Sequence, residues 1–112
     1  MEHARHAPIA EGPHYAVVFT SQRTAGDHGY AAMADRMDAL AREQPGYLGI
    51  ESARDADGFG MTVSYWRTGQ DIIAWKRVAD HLIAQQTGRE LWYRRYTVRV
   101  CRVERSYGFG QD

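Results

Sequence analysis

Hydrophobic and polar positions change period several times along the chain. Tyr15 to Ser21 is a run of β-branched and aromatic residues and predicts a strand. Its two parities, Tyr15, Val17 and Phe19 against Ala16, Val18 and Thr20, are both largely apolar, which predicts burial on both faces. Asp27 then offers a helix cap, after which Tyr30, Met33, Ala34, Met37, Leu40 and Ala41 recur at helical spacing. Asp35, Arg36, Asp38 and Arg42 fall elsewhere, so the helix is amphipathic, runs to Gln44 and stops at Pro45-Gly46. Tyr47 to Arg54 predicts a second strand, with Gly49 as a bulge or a point of close approach. A turn at Asp55 to Gly58 leads into a third strand, Phe59 to Arg67, making a hairpin.

Thr68 with Asp71 resembles a capping box. Ile72, Trp75, Ala79, Leu82, Ile83 and Gln86 trace a second helical face as far as Thr87-Gly88. Arg89 to Arg95 allows one more helical turn through Trp92, and Tyr96 to Glu104 predicts the last strand. There Val98 and Val100 share one parity and Val103 the other, which a bulge near Cys101 or Arg102 would reconcile. The order strand, helix, strand, strand, helix, strand predicts an α+β, ferredoxin-like βαββαβ fold with a four-stranded antiparallel sheet. Helices on one face leave the other bare, yet the first strand is apolar on both sides. A second copy packing sheet against sheet resolves this and predicts a homodimer. Residues 1–13, rich in Ala, His, Pro and charge, read as a flexible tail before one domain over 14–109.

The 112 residues suit a single domain. The 14 basic and 14 acidic residues cancel, and no basic patch interleaved with exposed aromatics exists, which argues against nucleic-acid binding. No apolar run approaches the roughly 20 residues of a membrane span, and Met1 to Pro13 lacks the apolar core of a secretory signal. The single cysteine, Cys101, cannot form an internal disulfide and, mid-strand, reads as a small buried apolar residue. A cytoplasmic protein is expected.

Candidate chemistry is sparse. His3 and His6 have a metal-like spacing but no partnering cluster, so no metal is expected. Gly58-Phe59-Gly60 and Gly108-Phe109-Gly110 do not lie between a strand and a helix as a phosphate loop requires, and no serine has a nucleophile-elbow context. An aromatic set remains: Trp66, Trp75, Trp92, Tyr47, Tyr65, Tyr93 and Tyr96, with Gln22, Arg23, Arg54 and His81 as polar groups. Each ring alone is more simply core or interface filler. Together, three indoles in so small a chain suit a flat aromatic ligand held between the Trp66 strand end and the Trp75 helix.

Tyr15 to Thr20, Gln44 to Ser52, Val63 to Trp66, Ala74-Trp75-Lys76 and Val103 to Phe109 together resemble the antibiotic biosynthesis monooxygenase family, over about residues 14–109. The resemblance implies a dimeric α+β barrel of two ferredoxin-like subunits. It implies a monooxygenase without a cofactor, acting on an electron-rich aromatic or quinol whose deprotonated form reduces dioxygen itself. Trp66, Trp75 and Trp92 would then wall the pocket, His81 or Tyr65 would handle the proton, and Gln22, Arg23 or Arg54 would hold the substrate's oxygen. The same family includes haem-degrading enzymes with an Asn ending the first strand and a His ten residues after the helical Trp. Here Gln22 and Gln85 occupy those positions, and glutamine is a poor haem ligand. The fold also serves non-catalytic small-molecule-binding and stress-response barrels, a second expectation.

Overall fold

A computed structural model describes residues 5–85 and 89–110, without the side chains of residues 84 and 85. Four strands form one antiparallel sheet in the order β2-β3-β1-β4: β1 (His14–Arg23), β2 (Tyr47–Arg54), β3 (Phe59–Trp66) and β4 (Tyr93–Val103). Two long helices, α1 (Tyr30–Arg42) and α2 (Gly69–Gln85), and one turn of helix, α3 (Arg89–Trp92), complete the ferredoxin-like α+β arrangement. Gln86 and Thr87-Gly88, the expected end of the second helical face, lie outside the described residues.

The element starts follow local chemistry. The Asp27 carboxylate accepts from the Gly29 and Ala31 amides at 3.0 and 3.2 Å, satisfying N–H groups that an α1 start would otherwise leave unpaired. Thr68 and Asp71 bond twice, hydroxyl to carboxylate at 2.8 Å and Asp71 amide to hydroxyl at 3.1 Å, and fix the start of α2. The α1 residues Met33 and Ala41 are buried, as are Ile72 and Leu82 of α2.

Pairing sets which side chains share a face. Tyr15 faces Trp66, Val17 faces Ser64, Phe19 faces Thr62 and Ser21 faces Gly60 across β1 and β3. This set lies under the helices, because Trp66 stacks on Trp75 of α2 with ring centroids 5.9 Å apart and planes at 23°. Tyr47 meets Trp66 edge-on at 5.8 Å, and the Trp66 indole donates to the Ser64 hydroxyl at 2.9 Å. Trp66 is wholly buried. The alternate residues, among them Ala16, Val18, Val63 and Tyr65, face the opposite side.

Part of that opposite side is covered by the chain's own N-terminal segment. The pairing shifts between Tyr47 and Gly49, and a Cβ on Gly49 would come within 2.7 Å of the Ala7 Cβ. Leu48 is the residue left unpaired at that shift, and Gly49 beside it is the point of close approach, one of the two roles its place in the strand predicts. The Ala7 amide donates to Glu51 at 3.0 Å, the Tyr65 hydroxyl donates to the same carboxylate at 2.7 Å, and His6 Nδ1 lies 3.8 Å away.

Three expectations need correction. No register shift occurs at Cys101 or Arg102: β1 and β4 pair without interruption from His14 opposite Val103 to Gln22 opposite Arg95, and the shift lies beyond, at Gln22/Arg23. Val103 simply faces the other side from Val98 and Val100, which an edge strand permits because neither of its faces is fully covered. Cys101 is exposed rather than buried, for the same reason. β4 also begins at Tyr93, three residues before the expected start.

Two outcomes are expected. Trp66→Ala should cost about 3–5 kcal/mol of unfolding free energy, read by urea denaturation. The Ala7 amide, followed by Tyr65 and His6, holds the Glu51 carboxyl below its ordinary value of 4.5. Its folded value being the lower one, its stabilisation is present above pH 4.5 and lost as pH falls through the depressed value. The protection factors for amide hydrogen exchange over residues 5–13, taken relative to intrinsic rates at each pH, should therefore fall on acidification, and Glu51→Gln should remove that pH dependence.

Candidate functional site

Polar groups gather at the far end of the sheet from the indole stack. Gln22 pairs with Phe59 and Tyr15 with Trp66, so the two ends are separated by seven residues, roughly 23 Å along the strands. Arg23 closes β1 and lays its guanidinium over the Tyr30 ring at 3.8 Å. Its Nη atoms donate to the carbonyls of Thr24, Gly26 and Asp27 at 3.0–3.3 Å, curling the β1–α1 loop around the charge. Its Nε is buried with no partner among the described residues.

Arg54 closes β2 on the same face. It donates to the Ser21 hydroxyl at 2.8 Å, to the Tyr30 hydroxyl at 3.2 Å and to the carbonyls of Ser21 and Gly58. Gly60 makes room for it, since a Cβ there would stand 2.6 Å from the guanidinium carbon. Among the described residues neither arginine pairs with a carboxylate; the ion pairs found are His6–Glu51, Arg42–Asp38 and Lys76–Asp80.

Behind the arginines lies a second aromatic cluster. Tyr30 meets Tyr93 at 5.7 Å and Trp92 at 6.3 Å, while Phe19 stacks on Tyr96 at 5.2 Å and meets Tyr93 at 5.6 Å. The Trp92 indole donates to the His28 carbonyl at 2.8 Å. That contact anchors a residue held at φ 51°, a left-handed conformation uncommon for a side chain other than glycine. Burial, then the bond to Tyr30, raises the Tyr93 hydroxyl far above its ordinary range despite Arg54 and Arg23. Tyr93 is therefore a donor, to Tyr30 at 3.5 Å.

Two concavities open here. One, of about 470 Å³, runs between the β1–α1 loop and the β2–β3 turn and is lined by Gln22, Arg23, Arg54, Asp57 and Arg94 among others. The other, of about 510 Å³, includes Gln22, Phe59, Arg94, Arg95 and Tyr96. Neither is lined by Trp66 or Trp75.

The residues expected at one site are thus distributed over several places. Gln22, Arg23 and Arg54 come together, with Gln22 Nε2 donating to the Asp57 carbonyl at 2.8 Å. Trp92 stands behind them, whereas Trp66 and Trp75 pack against each other at the opposite end. Tyr65, next to Trp66 in β3, faces the other side of the sheet; burial and its bond to Glu51 push its hydroxyl up to about 12. His81 is exposed on α2. The side chain of Gln85, at the haem-ligand position, lies outside the described residues. The sequence alone does not single out Tyr30, Ser21, Arg94 and Arg95 as site residues. Tyr30 falls on a helical apolar face, and the arginine doublet before Tyr96 is the one available signal.

No family model matches the chain. It is 46% identical over 102 residues to the uncharacterized protein YqjZ of Bacillus subtilis, covering 91% of this chain and 90% of that one. Among solved structures it is similar to one provisionally named an antibiotic biosynthesis monooxygenase from Nitrosomonas europaea, with a TM-score of 0.67, 13% identity, and coverage of 90% and 98% of the two chains. It is also similar to SnoaB, a cofactor-independent oxygenase from Streptomyces nogalater, with a TM-score of 0.63, 11% identity, and coverage of 88% and 98%. The chain belongs to the same family as YqjZ, and that family is built on the fold of the antibiotic biosynthesis monooxygenases.

Proposed function

We propose that the protein is a homodimeric monooxygenase that oxygenates an electron-rich aromatic phenol, quinol or anthrone with dioxygen and no prosthetic group. The observation that carries this reading is the fold shared with SnoaB, a cofactor-independent oxygenase. In support stands a cleft where Arg23 and Arg54 carry charge that no carboxylate among the described residues neutralises.

The chemistry needs little from the protein. A substrate hydroxyl or activated methylene loses a proton, and the resulting anion passes an electron to dioxygen. Recombination forms a carbon–oxygen bond, and the peroxide loses water. For an anthrone the balance is a CH₂ and O₂ giving a carbonyl and water. Guanidinium groups beside the developing oxyanion favour its ionised form at neutral pH. Arg23 and Arg54 supply them, with Gln22 alongside. Tyr30 accepts hydrogen bonds from Arg54 and Tyr93 and so helps hold the Arg54 fork in place. The aromatic cluster of Phe19, Tyr93 and Tyr96 offers apolar surface beside the charge.

A second reading, a non-catalytic small-molecule-binding or stress-response barrel, is favoured by one observation: Trp66 is wholly buried beneath Trp75, so that end of the sheet is filled by its own side chains. Oxygen consumption separates the two. With hydroxylated naphthalenes and anthrones the protein should consume oxygen above a heat-denatured control, and Arg54→Gln should lower kcat/KM about tenfold, the worth of a charge-assisted hydrogen bond. No uptake across the panel removes the oxygenase reading. The homodimer is tested separately by light scattering on a sizing column at low micromolar concentration, where twice the 12.7 kDa chain mass is expected.

A further inference from the structure

The arginines surrounding the two concavities exceed what an enolate oxygen requires. Arg23, Arg54 and Arg94 line one and Arg94 and Arg95 the other, against the single carboxylate of Asp57. None of the four arginines forms an ion pair among the described residues. Arg23 and Arg54 are instead tied to backbone carbonyls, which orient a guanidinium without cancelling its charge. The two concavities share Gln22 and Arg94, so they adjoin, and the second adds Tyr96, which pairs with Ser21 and so stands on the Arg54 face of the sheet. A charged cleft thus continues into an aromatic one.

We propose that this joined cleft binds a planar aromatic carboxylate, with the carboxylate beside Arg94 and the ring against Tyr96. Arginine suits the task because its planar fork matches a carboxylate in two parallel hydrogen bonds. Arg94 sits where the β1–β4 pairing shifts, between Arg95 opposite Gln22 and Tyr93 opposite Arg23. It is exposed, and its loss should spare the fold. That the ligand is aromatic rests on the oxygenase reading; that it is anionic rests on the guanidinium groups alone.

The test is fluorescence titration of the full chain with 6-hydroxy-2-naphthoate and with 2-naphthol, which is neutral at pH 7, both under nitrogen. The naphthoate should bind about tenfold more tightly. Arg94→Gln, checked for folding by circular dichroism, should erase most of that preference and leave 2-naphthol binding unchanged, and an Arg94→Lys variant should recover only part of it. Equal affinity for the two probes, or an Arg94→Gln variant that keeps the preference, overturns the proposal. Displacement of the naphthoate by inorganic phosphate at matched concentration overturns its aromatic half. Because no oxygen is present, binding without later oxygen uptake sinks the oxygenase reading alone, and oxygen uptake without carboxylate preference sinks the anion site alone.

Discussion

Pleat parity across the central pair β1 and β3 decides which side chains of this protein can meet. Successive residues of a strand face opposite sides of a sheet. Tyr65 and Trp66, neighbours in the chain, are therefore committed to different environments. Trp66 goes under the helices to Trp75 and Tyr47, and Tyr65 goes to Glu51 and the N-terminal segment. The same parity groups Ser21 with Gly60 and brings Arg54 across that glycine to the Ser21 hydroxyl. Once β1 and β3 are in register, the indole core, the tail dock and the arginine end are placed together, and a slip of one residue would exchange all three.

The arginine end is held in an unusual currency. A guanidinium pinned by a carboxylate spends its charge on the structure, and the pair presents little field to a ligand. Arg23 and Arg54 are pinned by carbonyls, one hydroxyl of serine and the face and hydroxyl of Tyr30. Hydrogen bonds to a charged donor are worth about 1.5–3 kcal/mol, enough to fix the forks, while the net charge remains available across a half-open cleft. The left-handed His28 belongs to the same device: the loop must turn sharply to present three carbonyls to Arg23, and Trp92 holds it there.

Much of this was legible in the sequence, and the failures have identifiable causes. Helical spacing located α1, alternation and Gly/Pro punctuation located β2 and the hairpin, and Gly49 declared itself because a glycine amid apolar strand residues needs a backbone reason. A bulge near Cys101 follows from valine parity only if the strand is buried on one side, and the shift lies instead at Gln22/Arg23. An edge strand obeys no such rule, and Val98 and Val100 are in fact about half exposed. The aromatic set looks like one cleft in the sequence because composition counts rings without recording that strand length divides them. Tyr30 and Arg94 were invisible as site residues because their neighbours at the arginine end lie far away in the chain: Tyr93 is 63 residues from Tyr30.

That division of the rings bears on where a ligand can enter. α1 packs on β2 and α2 packs on β3, so the helices shelter the half of the sheet where Trp66 is buried. A ligand entering there must displace an indole whose burial contributes several kcal/mol to folding. On the β1–β4 half the helices withdraw. Phe19, Tyr93 and Tyr96 pack on one another, with Tyr30 of α1 reaching only Tyr93 among them, and the arginines stand at the margin. Binding on that side adds burial to rings already partly open and pairs charges already held in place, with no core contact broken. Energetic cost alone thus favours the end of the sheet remote from the tryptophan pair.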